Sequence, residues 1–239
     1  MLRKPQVFPQ VSCSSQSSTG TIQIATENST LASSDRMLWL QLILGYGLIM
    51  AAVWTPEGPV KLTLMLLATA CIVLFSLAGR YSLLQMGLKS PTAAAAFRIV
   101  GYGILLACAI PLASMALGEH VAPLRHLPWH SAWQYTIWAM IQEFILQSFI
   151  YIRVESLFGS RSAVAVTALL FAAVHVPSPV LTLFTLIGGL FFCEMFRRYR
   201  SIIPLGVVHA MLGLTIAVSF SDGILHHMRV GIGYLTIHS

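Results

Sequence analysis

From Met37 onward the chain is a succession of apolar runs, most of them near the length of a membrane crossing and parted by short breaks that carry proline. Such a run is what an α-helix, rising about 1.5 Å per residue, needs to cross a hydrocarbon layer roughly 30 Å thick. Composition agrees: 56% of residues are hydrophobic, only 9% are charged and the mean hydropathy is +0.78, far outside the range of soluble domains. The pattern predicts an all-α fold, a polytopic transmembrane helix bundle of about seven spans.

The spans are expected at 37–55, 60–84, 94–117, 131–153, 162–176, 180–197 and 202–221. Pro56, Pro59, Pro91, Pro123, Pro128, Pro177, Pro179 and Pro204 mark the breaks. Residues 1–35 are rich in Ser, Thr and Gln, bury too little apolar surface to offset their ordering entropy, and are expected to form a flexible cytoplasmic tail. Arg3 and Lys4 are followed by Ser/Thr-rich sequence where a signal peptide would carry its apolar core, so the first span is expected to be retained. Residues 36–239 then form the membrane domain. Its end, 222–239, is too polar at His226, His227 and Arg229 for an eighth span and is expected at the interface.

The formal net charge of +6 does not point to nucleic acid, because Lys and Arg sit at the ends of apolar runs and form no basic stripe with interleaved aromatics. Sorted onto alternating sides of the bilayer, Arg36, Arg80, Lys89, Arg98, Arg153, Arg161, Arg197, Arg198 and Arg200 fall on one side. Only Lys61, Arg125 and Arg229 fall on the other. By the positive-inside rule this predicts a cytoplasmic N-terminus and an external C-terminus. Gly45, Gly47, Gly101, Gly103, Gly188 and Gly189 are expected to let helices approach closely. Cys13, Cys71, Cys108 and Cys193 have no paired spacing, so neither a disulfide framework nor a zinc finger is expected.

An ionisable side chain at mid-span costs roughly 2.5–3.5 kcal/mol on insertion scales and needs a partner or a function. Glu143 in the fourth span, His175 near the end of the fifth and His209 in the seventh all fall roughly 10–20 Å from the cytoplasmic edge by helical rise. A carboxylate and two imidazoles at one depth can hold a water, take its proton and support the oxyanion formed at a peptide carbonyl. They could equally pair only with one another and with carbonyls to join helices. A zinc site of two His and one Glu is a third possibility, but no His-Glu-x-x-His spacing supports it, and no metal or other cofactor is expected.

These residues sit in a recognisable order. Phe171-Ala-Ala-Val-His175 is followed by the Gly-rich run Leu186-Ile-Gly-Gly-Leu190, the basic turn of Arg197, Arg198 and Arg200, and Ser201-Ile-Ile-Pro-Leu-Gly-Val-Val-His209. With Gln142-Glu143-Phe144-Ile145-Leu146-Gln147 before them, they resemble the CPBP family of intramembrane proteases (CAAX proteases and bacteriocin-processing enzymes) over about 131–221. Its pattern is Glu-Glu-x-x-x-Arg, then Phe-x-x-x-His, then His-x-x-x-Asn. Here Gln142 stands for the first Glu, Gln147 for the Arg and Gly213 for the Asn. In the family the first Glu and the Phe-x-x-x-His histidine activate water, while the last His and the Asn stabilise the oxyanion.

The resemblance implies a glutamic-type intramembrane endopeptidase with Glu143, His175 and His209 catalytic. Gln142 and Gln147 would bind substrate or oxyanion. The paired change of a Glu and an Arg to the same amide preserves neutrality, with Glu143 left as the base. The implied partners are the lipid bilayer and a membrane-associated protein substrate, a C-terminally tagged precursor processed or sorted at a bacterial inner membrane. The alternative is a non-hydrolytic binding or bacteriocin-immunity factor. Among the remaining residues, Arg153 and Glu155 are expected at the interface, Glu194 is spaced for an ion pair with Arg198, and Trp129, Trp133 and Trp138 read as an aromatic belt. His120, His126, His130, His226, His227 and His238 are expected in solvated outer segments.

Overall fold

Long uninterrupted helical stretches bounded by Pro and Gly give a chain without strands among the described residues. The computed structural model describes residues 19–79, 81–119 and 129–236, with side chains from residue 34. Its elements are α1 (Thr19–Val53), α2 (Pro59–Ala78), α3 (Ala93–Ala116) and α4 (Trp129–Glu143), which runs through a π-helical stretch (Phe144–Tyr151) into α5 (Ile152–Phe158). Then follow α6 (Ser160–Ala173), α7 (Pro179–Tyr199), α8 (Ile202–Ser219) and two short tail helices, α9 (Asp222–Leu225) and α10 (Ile232–Leu235). The chain divides into two units, 1–39 and 40–239. Of the first, the described part is the opening of α1, which is helical from Thr19, within the stretch expected as a tail; residues 1–18, with Cys13, lie outside the described residues. The site lies wholly in the second.

Among the described residues six segments are long and apolar enough to cross a bilayer: Ser34–Val53, Pro59–Ala78, Ala93–Ala116, Trp129–Phe158, Pro179–Tyr199 and Ile202–Ser219. The span expected at 162–176 is an apolar helix of 14 residues, Ser160–Ala173, about 21 Å long against a hydrocarbon layer of roughly 30 Å, so about seven membrane helices stand with this one short. Beyond Ala173 the backbone turns, and Pro177 and Pro179 lack the N–H groups that would continue the ladder. Pro179 instead begins α7 in its first turn, where that loss is harmless. The expected fourth span is longer than read, because Arg153 does not end it.

Contacts between helix ends and connecting turns fix the layout. Arg200 Nη2 bonds Glu155 Oε1 at 2.5 Å and Ile202 N–H donates to Gly87 O at 3.0 Å. At the opposite end, Gly231 N–H donates to Val176 O and Ser221 N–H to Glu119 Oε2, both at 3.0 Å. The α6–α7 pair therefore rises from the Glu155 end, turns near Val176 and returns.

Two helices form the centre. Burial reaches 61% in the best windows of the α4–α5 segment and of α8, against 17% in those of α1, α2 and α3, whose exposed Leu, Ile and Val suit a lipid surface. Every residue from Leu146 to Val154 is buried, as a helix enclosed on all sides requires. Antiparallel α4 and α8 approach closely where glycine removes bulk: a Cβ at Gly206 would stand 2.0 Å from Met140 Sδ. Gly103 meets Val208, Gly189 meets the Ala168 backbone and Gly45 meets Phe149 in the same way. Gly47 and Gly101 have nothing within 4 Å, and Gly188 meets only Phe192 of its own helix, so those three do not serve the approach expected of them.

Arg153 is the main correction to the interface residues. It is fully buried, and its guanidinium donates to Gln41 Oε1, Phe149 O and Phe75 O, each at 2.9 Å, while stacking 4.1 Å above the Phe149 ring. Its five N–H donors allow one side chain to join α1, α2 and the central helix. Arg80 and Arg125 lie outside the described residues.

Candidate active site

Glu143 is the last residue of α4, and from Phe144 the backbone ladder widens, so that Ile152 N–H reaches Gln147 O five residues back. Such bulges occur mostly as single turns within α-helices and are frequent at functional sites. Up to that point the helix is regular, so Gln142 and Glu143 point about 100° apart. Gln142 lines a cavity, whereas Glu143 is fully buried and aims at α8.

There it meets His209. Glu143 Oε1 accepts from His209 Nδ1 at 2.9 Å, and Glu143 Oε2 accepts from Gln147 Nε2 at 3.1 Å. Both carboxylate oxygens are thus engaged by groups one helical turn away or across the helix pair. A carboxylate on Nδ1 fixes an imidazole's orientation and leaves Nε2 as its other ring nitrogen. Gln147 is fully buried, its Oε1 has no hydrogen-bond partner among the described residues, and it does not border the cavity, so its amide serves Glu143.

His175 lies in the turn after α6, where its Nδ1 bonds Phe171 O at 2.8 Å. A carbonyl only accepts, so Nδ1 carries the proton and Nε2 is left with its lone pair. The two imidazoles share a neighbour: the Phe171 ring stands 4.9 Å from His175 and 5.8 Å from His209 edge-on, and Phe192 stacks on His209 at 4.9 Å with an 18° tilt. These rings fix the imidazole planes. They also keep the surroundings apolar, where electrostatic contacts are stronger than in water.

The cavity holds about 610 Å³ and is walled mainly by apolar side chains of α1, α2, α3, α4, α7 and α8. Gln142, His175, His209 and Tyr135 bring polar atoms to it, and Lys61, paired with Glu57 at 2.5 Å, is its one Lys or Arg among the described residues. The structure therefore brings Glu143 and His209 into contact, sets His175 on the same cavity as His209, and keeps Glu143 behind that wall. The sequence reading in which Glu143 itself faces the water differs from this arrangement, since His209 stands between carboxylate and cavity.

Tyr135 was not singled out from sequence. It lies two turns before Gln142 on α4, hence on the same face, and its hydroxyl fills the space beside Gly213: a Cβ there would be 1.9 Å from Tyr135 Oη. The available signal was Gly213 itself, a missing side chain one turn after His209.

Residues 125–215 match the model of the family described as type II CAAX prenyl endopeptidase Rce1-like. Over that segment the chain is similar to the Rce1-like family. The match holds Glu143, His175 and His209, and agrees with the CPBP resemblance. No curated protein and no solved structure matches the chain. The Rce1-like match and the six apolar helices among the described residues support an integral membrane protein and a protease activity.

Outside the site, Glu194 pairs with Arg198 at 2.5 Å, as its spacing suggested, and with Arg197 at 2.7 Å. His227 bonds Asp222 at 3.1 Å on the surface. His130 and the three tryptophans of the expected belt are exposed, whereas His120, His126 and His238 lie outside the described residues. Cys71, Cys108 and Cys193 are free thiols. Among the described residues no three His, Cys, Asp or Glu side chains are grouped to hold a metal ion.

Proposed function

We propose that the protein is an intramembrane endopeptidase that hydrolyses a peptide bond of a membrane-associated substrate through Glu143, His175 and His209. The observation that carries this reading is the Glu143–His209 contact of 2.9 Å at the wall of an apolar cavity onto which His175 also opens. A structural helix tie would need no such cavity.

In this reading His175 Nε2 and His209 Nε2 receive the two hydrogens of a water. As the water oxygen forms its bond to the substrate carbonyl carbon, one proton passes to His209, whose positive charge the Glu143 carboxylate offsets. His209 then returns that proton to the amide nitrogen as the carbon–nitrogen bond breaks. Gln142, facing the cavity, donates from its side-chain amide to the substrate backbone or the oxyanion. Gln147 holds Glu143. In this reading no metal or other cofactor takes part.

The substrate class proposed is a precursor with a C-terminal apolar tag, processed at a bacterial inner membrane by a protein whose N-terminus is cytoplasmic, in keeping with its Lys and Arg bias. The test is processing of a co-expressed reporter ending in an apolar membrane segment. The wild-type chain should release the tag, and Glu143→Ala, His175→Ala and His209→Ala should each abolish release at equal protein level. Equal tag retention in all four strains would instead favour a non-hydrolytic binding or immunity factor.

A further inference from the structure

The polar groups of the cavity are unequal in what they can offer. His175 and His209 each have their Nδ1 committed, to Phe171 O and to Glu143, and both present a lone pair at Nε2. A developing oxyanion requires hydrogen-bond donors instead, preferably neutral ones already aimed at it in a water-poor site. Gln142 supplies one such group. Tyr135 lines the same cavity, and no described residue accepts a hydrogen bond from its hydroxyl.

Its position depends on a specific absence. Gly213 follows His209 by one turn of α8 and so shares its face. With no side chain there, the Tyr135 ring crosses over α8: Oη, Cζ and Cε1 would stand 1.9, 2.5 and 2.6 Å from a Cβ at 213. Any larger residue at 213 displaces the whole rigid phenol, since a ring cannot yield atom by atom. The pair Tyr135 and Gly213 therefore sets a hydroxyl against α8 one turn beyond His209, while Gln142, two turns further along α4, flanks the same cavity.

We propose that the Tyr135 hydroxyl donates a hydrogen bond to the oxyanion of the tetrahedral intermediate, with Gly213 as the positioning residue that admits it. This rests on the endopeptidase reading above. The hydroxyl keeps its proton throughout: it supports the negative oxygen while water adds, and releases it when the carbonyl re-forms.

The test uses the full-length chain in lipid nanodiscs with a mixture of quenched fluorescent peptides bearing an apolar half. Tyr135→Phe removes one oxygen and should lower kcat about 10²-fold, the usual loss for one oxyanion donor, with KM changed little. Gly213→Ala should lower kcat comparably in the wild-type background and should have no further effect in a Tyr135→Ala background, where the clash is gone. A purely structural role for Tyr135 would move melting temperature and KM with kcat and would not give this dependence. Unchanged kcat in Tyr135→Phe, or an equal Gly213→Ala loss in both backgrounds, overturns the assignment while leaving the endopeptidase reading intact. Absence of turnover by the wild-type chain, or turnover that survives His175→Ala and His209→Ala, overturns both.

Discussion

Replacing Glu143 by Gln removes a charge while leaving almost every atom in place. The amide oxygen can still accept from His209 Nδ1, now at 2.9 Å from a carboxylate oxygen. The new NH₂ would face Gln147, whose Oε1 has no partner in the present structure. A flip of Gln147 therefore satisfies both amides, and the fold should be kept. What is lost is the negative charge next to His209 when that ring becomes an imidazolium. For charge centres about 4 Å apart at an effective dielectric near 20, the lost attraction is about 4 kcal/mol. At about 1.4 kcal/mol per decade this is roughly a 10³-fold fall in kcat. The assay is turnover of the quenched peptide mixture in nanodiscs, with a thermal melt of the same preparations. A Glu143→Gln protein that melts like the wild type yet turns over within about threefold of it would refute the assignment of this carboxylate to His209 in the reaction.

Three further outcomes follow from the geometry. Arg153→Ala should destabilise the detergent-solubilised protein by about 3–5 kcal/mol, because Gln41 and the Phe149 and Phe75 carbonyls lose their donor together; a melting temperature near that of the wild type would contradict it. Gly206→Ala should cost about 1–3 kcal/mol through the clash with Met140, and Met140→Ala should relieve most of that cost; additive losses would show that α4 and α8 do not meet there. Turnover should be unaffected by a zinc and calcium chelator series, and loss of activity restored by one added metal would overturn the metal-free reaction.

Much of the fold was legible because helices in lipid must be long and apolar, so their number and order follow from hydropathy and proline. The helix at Ser160–Ala173 ends earlier than its apolar run, which continues through Val174 and Val176, because hydropathy does not record where the backbone turns. Arg153 was placed at the interface because arginine near a helix end usually reaches phosphate; its burial depends on Gln41 and Phe75, distant in sequence. The site residues were visible as polar groups out of place in apolar spans. Their division of labour was not: only the facing of Gln142 and Glu143, set by the helix turn, puts His209 between the carboxylate and the cavity. Tyr135 escaped notice among Trp133 and Trp138, where an aromatic residue suggests a membrane interface and not a donor opposite Gly213.

The central claim is that water, activated at His175 and His209, attacks a peptide carbonyl inside this cavity. Cleaving the tagged reporter in water enriched with oxygen-18 and weighing the released fragments tests it directly. The account predicts that the new C-terminal carboxyl carries the heavy oxygen with the wild-type chain and that no such fragment forms with His209→Ala. A fragment free of the label, or one formed equally by both proteins, would contradict it.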